Sequence, residues 1–208
     1  MKHLTDQELM EIVQAGDISP GAEIYDRYSD RIYNFARGLL RNDALAAEAT
    51  QETFLKVLKH ANTFRARAGS SVSTWMFTIA RNCCLDHLRR PENKQPKESD
   101  DALLDAPSIH DGPDRQVEQD WHASLVDEAL GSLGHEVREA ILLFRYREMS
   151  HAEIARVVGC SVGAAKARVF RGMELMRRYL TRKARFEPAV GTKKVTTPAA
   201  TPVEDTNV

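Results

Sequence analysis

The sequence predicts an all-α protein made of two small helical domains joined by an acidic linker, with a disordered C-terminal tail. Apolar residues recur every three or four positions up to residue 90, and no segment alternates as a strand would. From residue 91 to about residue 116 the chain is rich in proline and acidic residues, which is typical of a linker. After Arg185 the apolar periodicity ends. The 208 residues suffice for two domains, each with its own core.

The N-terminal part is expected to contain four helices, at about residues 5–16, 20–41, 43–60 and 74–90. Thr5 and Glu8 have the spacing of a capping box, which favours the start of the first helix. A loop connects the third helix to the fourth. In the third helix, the apolar side chains expected to point inward are Phe54, Leu55, Val57 and Leu58.

The C-terminal part is expected to contain helices at about residues 117–130, 134–147, 150–158 and from residue 161 onward. The last two form a helix-turn-helix pattern. Ser150 and Ser161 are suited to cap the two helices, and Gly159 can supply the positive φ of the turn. The side chains expected to point inward are Ile154, Ala155, Val157, Val158, Val162, Ala165 and Val169, and we expect Cys160 to be buried as a small hydrophobic residue.

The second helix of this pattern has an outer face that suits DNA. At helical spacing, this face carries Gly163, Lys166, Ala167, Phe170 and Arg171. A short helix with an apolar inner face and a basic outer face fits the major groove. The pattern therefore predicts DNA binding, and an ordinary helical hairpin with a solvated basic face is the alternative.

Charge is balanced overall but is unevenly distributed along the chain. The net charges of successive segments are −3 for residues 1–19, +4 for 20–90, −6 for 91–120, +5 for 121–185 and −1 for 186–208. Two basic blocks joined by an acidic connector indicate a protein that contacts nucleic acid at two places. Chance clustering of charge on soluble helices is the weaker interpretation, because the basic blocks coincide with the helical segments.

The segment STWMFTIARNCCLDHLRR, residues 73–90, also indicates nucleic-acid binding. Trp75 and neighbouring apolar residues stand beside Arg81, Arg89 and Arg90. Aromatic side chains next to arginines can stack on unpaired bases while the arginines hold phosphates. The alternative is a buried helix whose tryptophan belongs to the core.

No enzyme, cofactor or metal site is evident in the sequence. Cys83, Cys84 and His87 are close in sequence, but adjacent cysteines on a helix diverge by about 100 degrees and do not converge on one metal. No phosphate-binding glycine loop and no set of nucleophile and base is present. Three cysteines and the absence of a long apolar run favour a cytoplasmic protein that inserts into no membrane.

Three motifs together resemble the extracytoplasmic-function (ECF) group of bacterial sigma factors, members of the sigma-70 family. They are AEATQETFLKV, residues 47–57, the segment STWMFTIARNCCLDHLRR, and the helix-turn-helix ending VGAAKARVFR. The resemblance covers about residues 20–90 and 118–183. It implies an N-terminal helix at 1–19, sigma domain two at 20–92, an acidic linker at 93–117, sigma domain four at 118–185 and a disordered tail at 186–208.

The resemblance also implies partners and residue roles. Glu48, Gln51 and Glu52 match the positions that dock on the clamp coiled coil of the largest polymerase subunit. Recognition and melting of the minus-ten promoter element, with capture of a flipped base, would fall to Phe64, Arg65, Ser70, Ser71, Trp75, Arg81, Asn82, Arg89 and Arg90. Asp86 is expected to orient an arginine rather than to meet DNA.

In the family, the second helix of the helix-turn-helix reads the minus-thirty-five element. By position, the residues that would do so here are Gly163, Lys166, Ala167, Arg168, Phe170 and Arg171. Other implied partners are the flap of the second-largest polymerase subunit and, as in many family members, an anti-sigma factor. The rival function is a helix-turn-helix regulator that binds duplex DNA without polymerase, and a helical enzyme is a more distant one.

Overall fold

The structure, a computed structural model, describes residues 3–66, 71–90, 116–145 and 149–186, with side chains described for 3–66, 71–90, 124–145 and 149–183. Within these ranges the chain forms helices and no strands, which confirms the all-α prediction. The helices are α1 Asp6–Gln14, α2 Gly21–Leu40, α3 Asp43–Lys59, α4 Val72–Arg89, α5 Gln116–Gly131, α6 His135–Arg145, α7 His151–Val158 and α8 Val162–Phe186, with a 3-10 turn at Ala61–Thr63. The predicted linker up to residue 115 and the predicted tail from residue 187 lie outside the described residues.

Local capping signals set where the N-terminal helices begin. At α1, Thr5 and Glu8 form the predicted capping box. Helix α4 begins two residues earlier than predicted, because Ser71 caps it: the backbone N–H of Thr74 donates to Ser71 Oγ at 3.1 Å. This cap lies beside the loop that follows α3.

In the first half, α1 to α4, the helices α2, α3 and α4 all pack against one another. Phe35 of α2 and Phe77 of α4 meet edge to face with ring centroids 5.5 Å apart, and both are fully buried. The buried face of α3 carries Ala46, Ala49, Thr50, Thr53, Phe54 and Val57. The prediction for Leu55 and Leu58 is wrong, since these side chains are 69% and 40% exposed. Each lies one position beyond the buried stripe, and a helix turns by about 100 degrees per residue.

The second half, α5 to α8, contains the predicted helix-turn-helix. Ile154, Ala155 and Val157 of α7 pack against Ala165 and Val169 of α8 in the buried core. Three predictions of burial here are wrong or partly wrong: Val162 is 51% exposed, and Val158 and Cys160 are only half-buried. Val162 is exposed because the buried stripe of α8 begins one turn later, at Ala165.

The two halves pack directly against each other. Their buried apolar side chains form one continuous cluster, in which α2 contacts α6 and α4 contacts α7. Gly38 allows α2 to approach α6 closely, because a Cβ atom at this position would lie 2.5 Å from Leu142 Cδ2. No helix among the described residues is both long enough and apolar enough to cross a bilayer.

Candidate nucleic-acid interface

The helix-turn-helix has the local geometry that the sequence predicts. Ser150 and Glu153 form a capping box at the start of α7. Gly159 ends α7 in the left-handed region, with φ +78° and ψ 40°, and its N–H donates to the Ala155 carbonyl at 2.9 Å. Ser161 then caps α8, because its Oγ accepts from the N–H of Ala164 at 3.1 Å. These contacts fix the angle at which α8 leaves the turn.

The outer face of α8 is accessible. The exposed residues on it are Gly163, Lys166, Ala167, Phe170 and Arg171, and the Phe170 side chain is 76% exposed. Arg168 is the exception, because it is half-buried and its guanidinium lies 2.5 Å from Glu136 of α6. The face thus presents two cations and an aromatic ring to solvent beside the N-terminus of α8.

A second candidate surface surrounds the start of α4, where a cavity of about 270 Å³ opens. The residues that line it are Asp6, Gln7, Tyr28, Phe64, Ser71, Val72, Ser73 and Glu153. Ser73 Oγ is buried there and has no hydrogen-bond partner among the described residues. A cavity of about 150 Å³ is known to hold a benzene ring, so this one has room for one planar ring system.

The residues predicted to read the minus-ten element extend from this cavity along α4. Phe64 is buried, and its ring lies 5.5 Å from the half-buried ring of Trp75. Arg65, Asn82, Arg89 and Arg90 are exposed, and Ser71 is exposed at the cavity rim. Ser70 lies outside the described residues.

Arg81 is half-buried, and it is paired with a carboxylate of the second half. Its Nε atom lies 2.5 Å from Oε1 of Glu139 on α6. Asp86 lies 3.5 Å from Arg89, and both side chains are exposed.

The residues predicted to dock on polymerase lie on the outer face of α3. Glu48 and Gln51 are exposed and Glu52 is half-buried. Glu52 Oε1 lies 3.4 Å from the Arg90 guanidinium, which joins this face to the end of α4. Leu55 belongs to the same exposed stripe, one turn beyond Gln51 and Glu52. Sequence reasoning missed Leu55 as a surface residue because it assigned both Leu55 and Leu58 to the core on residue type.

Two carboxylates of the second half, Glu139 and Glu153, also belong to the α4 surface and were not predicted. Glu153 Oε1 accepts from Thr74 Oγ1 at 3.1 Å and from Ser71 Oγ at 3.3 Å. Burial alone would raise the pKa of Glu153, but these bonds and those from Ser150 lower it below its usual value of 4.5. No sequence signal identifies these pairs, since their members stand 58 to 82 positions apart.

The cysteines of α4 belong to the core. Cys83 and Cys84 are fully buried, and burial raises the pKa of Cys84 to about 12. Within the described ranges, no group of three or more His, Cys, Asp or Glu side chains is placed to hold a metal ion.

Family models match both halves of the chain. The model for sigma-70 region 2 matches residues 24–94, and that for sigma-70 region 4 matches residues 123–176. The first match spans the docking face and the α4 surface. The second spans the helix-turn-helix.

Several relatives and solved structures are similar over most of the chain. The ECF RNA polymerase sigma factor BldN of Streptomyces coelicolor is 31% identical over 178 residues, which are 86% of this chain and 67% of that protein. The RNA polymerase sigma-H factor of Pseudomonas aeruginosa is 30% identical over 84% of this chain and 93% of its own length.

Two solved structures share the fold. The structure of CnrH in complex with the cytosolic domain of CnrY is 21% identical, covers 85% of this chain and 97% of that chain, and superposes with a TM-score of 0.63. The sigma factor RpoE of Bartonella quintana in complex with the anti-sigma factor NepR is 25% identical. The match covers 77% of this chain and 96% of that chain, with a TM-score of 0.59. The sequence matches to both regions and to these relatives lead to one conclusion: this chain is an RNA polymerase sigma factor of the ECF group of the sigma-70 family.

Proposed function

We propose that this sigma factor uses three separate surfaces to start transcription at its promoters. The outer face of α8 reads the upstream promoter element, the α4 surface with its cavity opens and reads the minus-ten element, and the outer face of α3 docks on core polymerase. In this proposal residues 20–92 act as sigma domain two and residues 118–185 as sigma domain four. The observation that carries the proposal is the exposure of the α8 face beside a capped helix-turn-helix.

Reading of the upstream element is assigned to the N-terminal half of α8. A major groove about 12 Å wide admits one helix, and the first residues of a recognition helix reach the base edges. Lys166 and Arg171 can donate to guanine edges or to phosphates, and Phe170 can contact a thymine methyl group. Arg168 approaches the DNA backbone from its position beside Glu136.

Melting at the minus-ten element is assigned to the cavity at the start of α4. Unstacking a base costs a few kcal/mol, which a pocket for the extruded base offsets. The buried hydroxyl of Ser73 offers this pocket a hydrogen-bonding group, and Trp75 with Phe64 offers aromatic surface. Arg89 and Arg90, exposed at the end of α4, hold phosphates of the same strand.

Docking on polymerase is assigned to Glu48, Gln51 and Glu52, and the proposal adds the exposed Leu55. An exposed leucine between polar groups is typical of the centre of a protein interface. The clamp coiled coil of the largest subunit is the partner in this assignment, and the flap of the second-largest subunit is the partner of the second half.

The proposal includes three broader points. The protein works in the cytoplasm with the polymerase and performs no chemistry of its own. An anti-sigma factor is a further partner, since RpoE of Bartonella quintana was solved in complex with the anti-sigma factor NepR.

Transcription from a mixed promoter library tests the proposal. Core polymerase with this protein is expected to produce new, sequence-defined start sites that neither component produces alone. Lys166→Ala or Arg171→Ala is expected to cost about 1–3 kcal/mol and to relax the preference at the upstream element. Arg177→Ala on the same helix, where the arginine pairs with Glu174, is the matched control.

Two results would contradict the proposal. Tight duplex binding without polymerase, with no transcripts, would indicate a stand-alone regulator. A uniform loss across all upstream sequences in the Lys166 and Arg171 variants would show that these cations contact phosphates and do not read bases.

A further inference from the structure

We propose that Lys56 of α3 and Cys83 of α4 form an oxidation site, at which a hydroperoxide converts the thiol to a sulfenic acid and the lysine amine then closes a covalent nitrogen–sulfur bond between the two helices. The inference goes beyond the proposed function and does not depend on it. Its evidence is the contact between these two side chains and the groups that surround them.

The amine and the thiol are in direct contact. Lys56 Nζ donates to Cys83 Sγ at 3.4 Å, although the two residues stand 27 positions apart in the sequence. The carboxylates of Glu52 and Asp86 lie farther from the amine, with their nearest oxygens at 4.0 and 3.9 Å. Among the described residues, the sulfur atom is therefore the nearest polar partner of this lysine.

The sulfur atom lies close to the surface. Cys83 itself is fully buried, but the Lys56 side chain that contacts it is 41% exposed. Movement of this flexible side chain opens a path to the sulfur for hydrogen peroxide, a molecule only slightly larger than water. A bulky alkylating reagent, in contrast, would have to enter the core.

The neighbouring cysteine has a different environment. Burial raises the pKa of Cys84 to about 12, so this side chain remains a thiol. The thiolate is the form that reacts, and reactive cysteines lie beside cations such as a lysine ammonium. The contact with Lys56 therefore favours Cys83 over Cys84 as the site of oxidation.

The reaction balances in two steps. In the first, the Cys83 thiol takes one oxygen atom from the hydroperoxide ROOH, which gives a sulfenic acid and the alcohol ROH, or water when the oxidant is hydrogen peroxide. In the second, the Lys56 ammonium loses one proton to solvent through the neighbouring carboxylates, and its nitrogen lone pair attacks the sulfur. The S–OH bond breaks, and hydroxide leaves with another nitrogen proton as water. Sulfur is oxidised, the peroxide O–O bond is reduced, and the product is a sulfenamide.

The bridge changes both the charge and the rigidity of α3. It removes the positive charge of Lys56, which lies one turn beyond Glu52 of the candidate docking face. It also ties α3 to α4. Because closing a loop of 27 positions restricts the unfolded chain, we expect the bridged protein to unfold at a higher urea concentration.

Peptide mapping of the full-length chain tests the proposal. Hydrogen peroxide is raised until the half-buried Cys160 is oxidised, the remaining thiols are blocked with iodoacetamide in denaturant, and the chain is digested with trypsin without reductant. Trypsin does not cleave after a bridged lysine, so peptide 42–59 should be joined to peptide 82–89. The pair should weigh about 2 Da less than the two separate peptides with only Cys84 blocked. Dithiothreitol should release the peptides and return the urea midpoint to that of untreated protein.

Two variants serve as controls. Lys56→Arg keeps the cation but removes the amine, so it should give no joined peptide. Cys84→Ser keeps the reacting pair, so it should give the joined peptide as the wild type does. If Cys84→Ser fails to fold, fragmentation of the joined wild-type peptide assigns the bonded cysteine.

Three results would overturn the proposal. The first is oxidation of Cys160 in the wild type with no joined peptide. The second is a loss of about 2 Da confined to residues 82–89, which would indicate a disulfide between Cys83 and Cys84. The third is a bond from Lys56 to Cys84.

Discussion

Replacement of Gly159 by alanine isolates the energetic contribution of the turn in the helix-turn-helix. The residue has φ +78°, and a Cβ atom added there would meet nothing within 4 Å. The cost of the change is therefore conformational and not steric. Placing an L-residue in the left-handed region costs about 1–2 kcal/mol. We expect the free energy of unfolding to fall by this amount.

Urea unfolding followed by circular dichroism measures the effect. Gly159→Asn should lose less than Gly159→Ala, because asparagine tolerates the left-handed region better. Gly163→Ala is the matched control for the chemical change. Gly163 lies in the first turn of α8, and its nearest neighbour for an added Cβ is Ser161 Oγ at 4.0 Å, so alanine there should stabilise the helix by about 0.5–1 kcal/mol.

Opposite signs at the two glycines are the decisive result. A loss of similar size at Gly163, or equal losses for alanine and asparagine at Gly159, would refute the reasoning, because neither follows from a backbone penalty at Gly159. Upstream promoter binding by Gly159→Ala should weaken as well, since the turn sets the direction in which α8 leaves α7.

Three further outcomes are expected. Leu55→Ser should weaken core polymerase binding by about 1–2 kcal/mol in a pull-down titration. It should change the free energy of unfolding by less than about 0.5 kcal/mol, and a larger loss of stability would place Leu55 in the core. The pKa values of Glu8 and Glu153 lie below 4.5, so both carboxylates stabilise the folded chain fully above that pH. Urea titrations should show this stability being lost as the pH falls through the lowered pKa values. Unchanged stability down to pH 3 would contradict this. With its pKa raised to about 12, Cys84 should resist iodoacetamide at pH 8 while half-buried Cys160 reacts, and equal labelling by mass spectrometry would contradict the burial.

Local signals in the sequence predicted the helices and the turn well. The capping box at Thr5, the N-cap at Ser150 and the left-handed Gly159 depend on side chains within three or four residues, and the structure has all of them. The family resemblance rests on the same kind of short motif. Such features are predictable because the groups that interact are neighbours in the chain.

The direction of individual apolar side chains was less predictable. Leu55 and Leu58 have the residue type of a core position, yet α3 turns them toward solvent. Residue type states only that burial is favourable, and the rotation of a helix against its neighbours decides which side chains achieve it. The exposed Leu55 lies on the candidate docking face, where an apolar side chain can contact a partner protein.

The packing of the two halves could not be inferred from charge patterns. Both structured blocks are basic, at +4 and +5, and simple addition of charge predicts that they repel each other. The structure instead places Glu139 and Glu153 at the junction, opposite a guanidinium and two hydroxyl groups. Exposed charges are screened beyond about 8–10 Å, so block charges act weakly, whereas a buried pair at 2.5 Å is hardly screened. The paired groups stand 58 to 82 positions apart in the sequence, which is why the pairing is visible only in the folded chain.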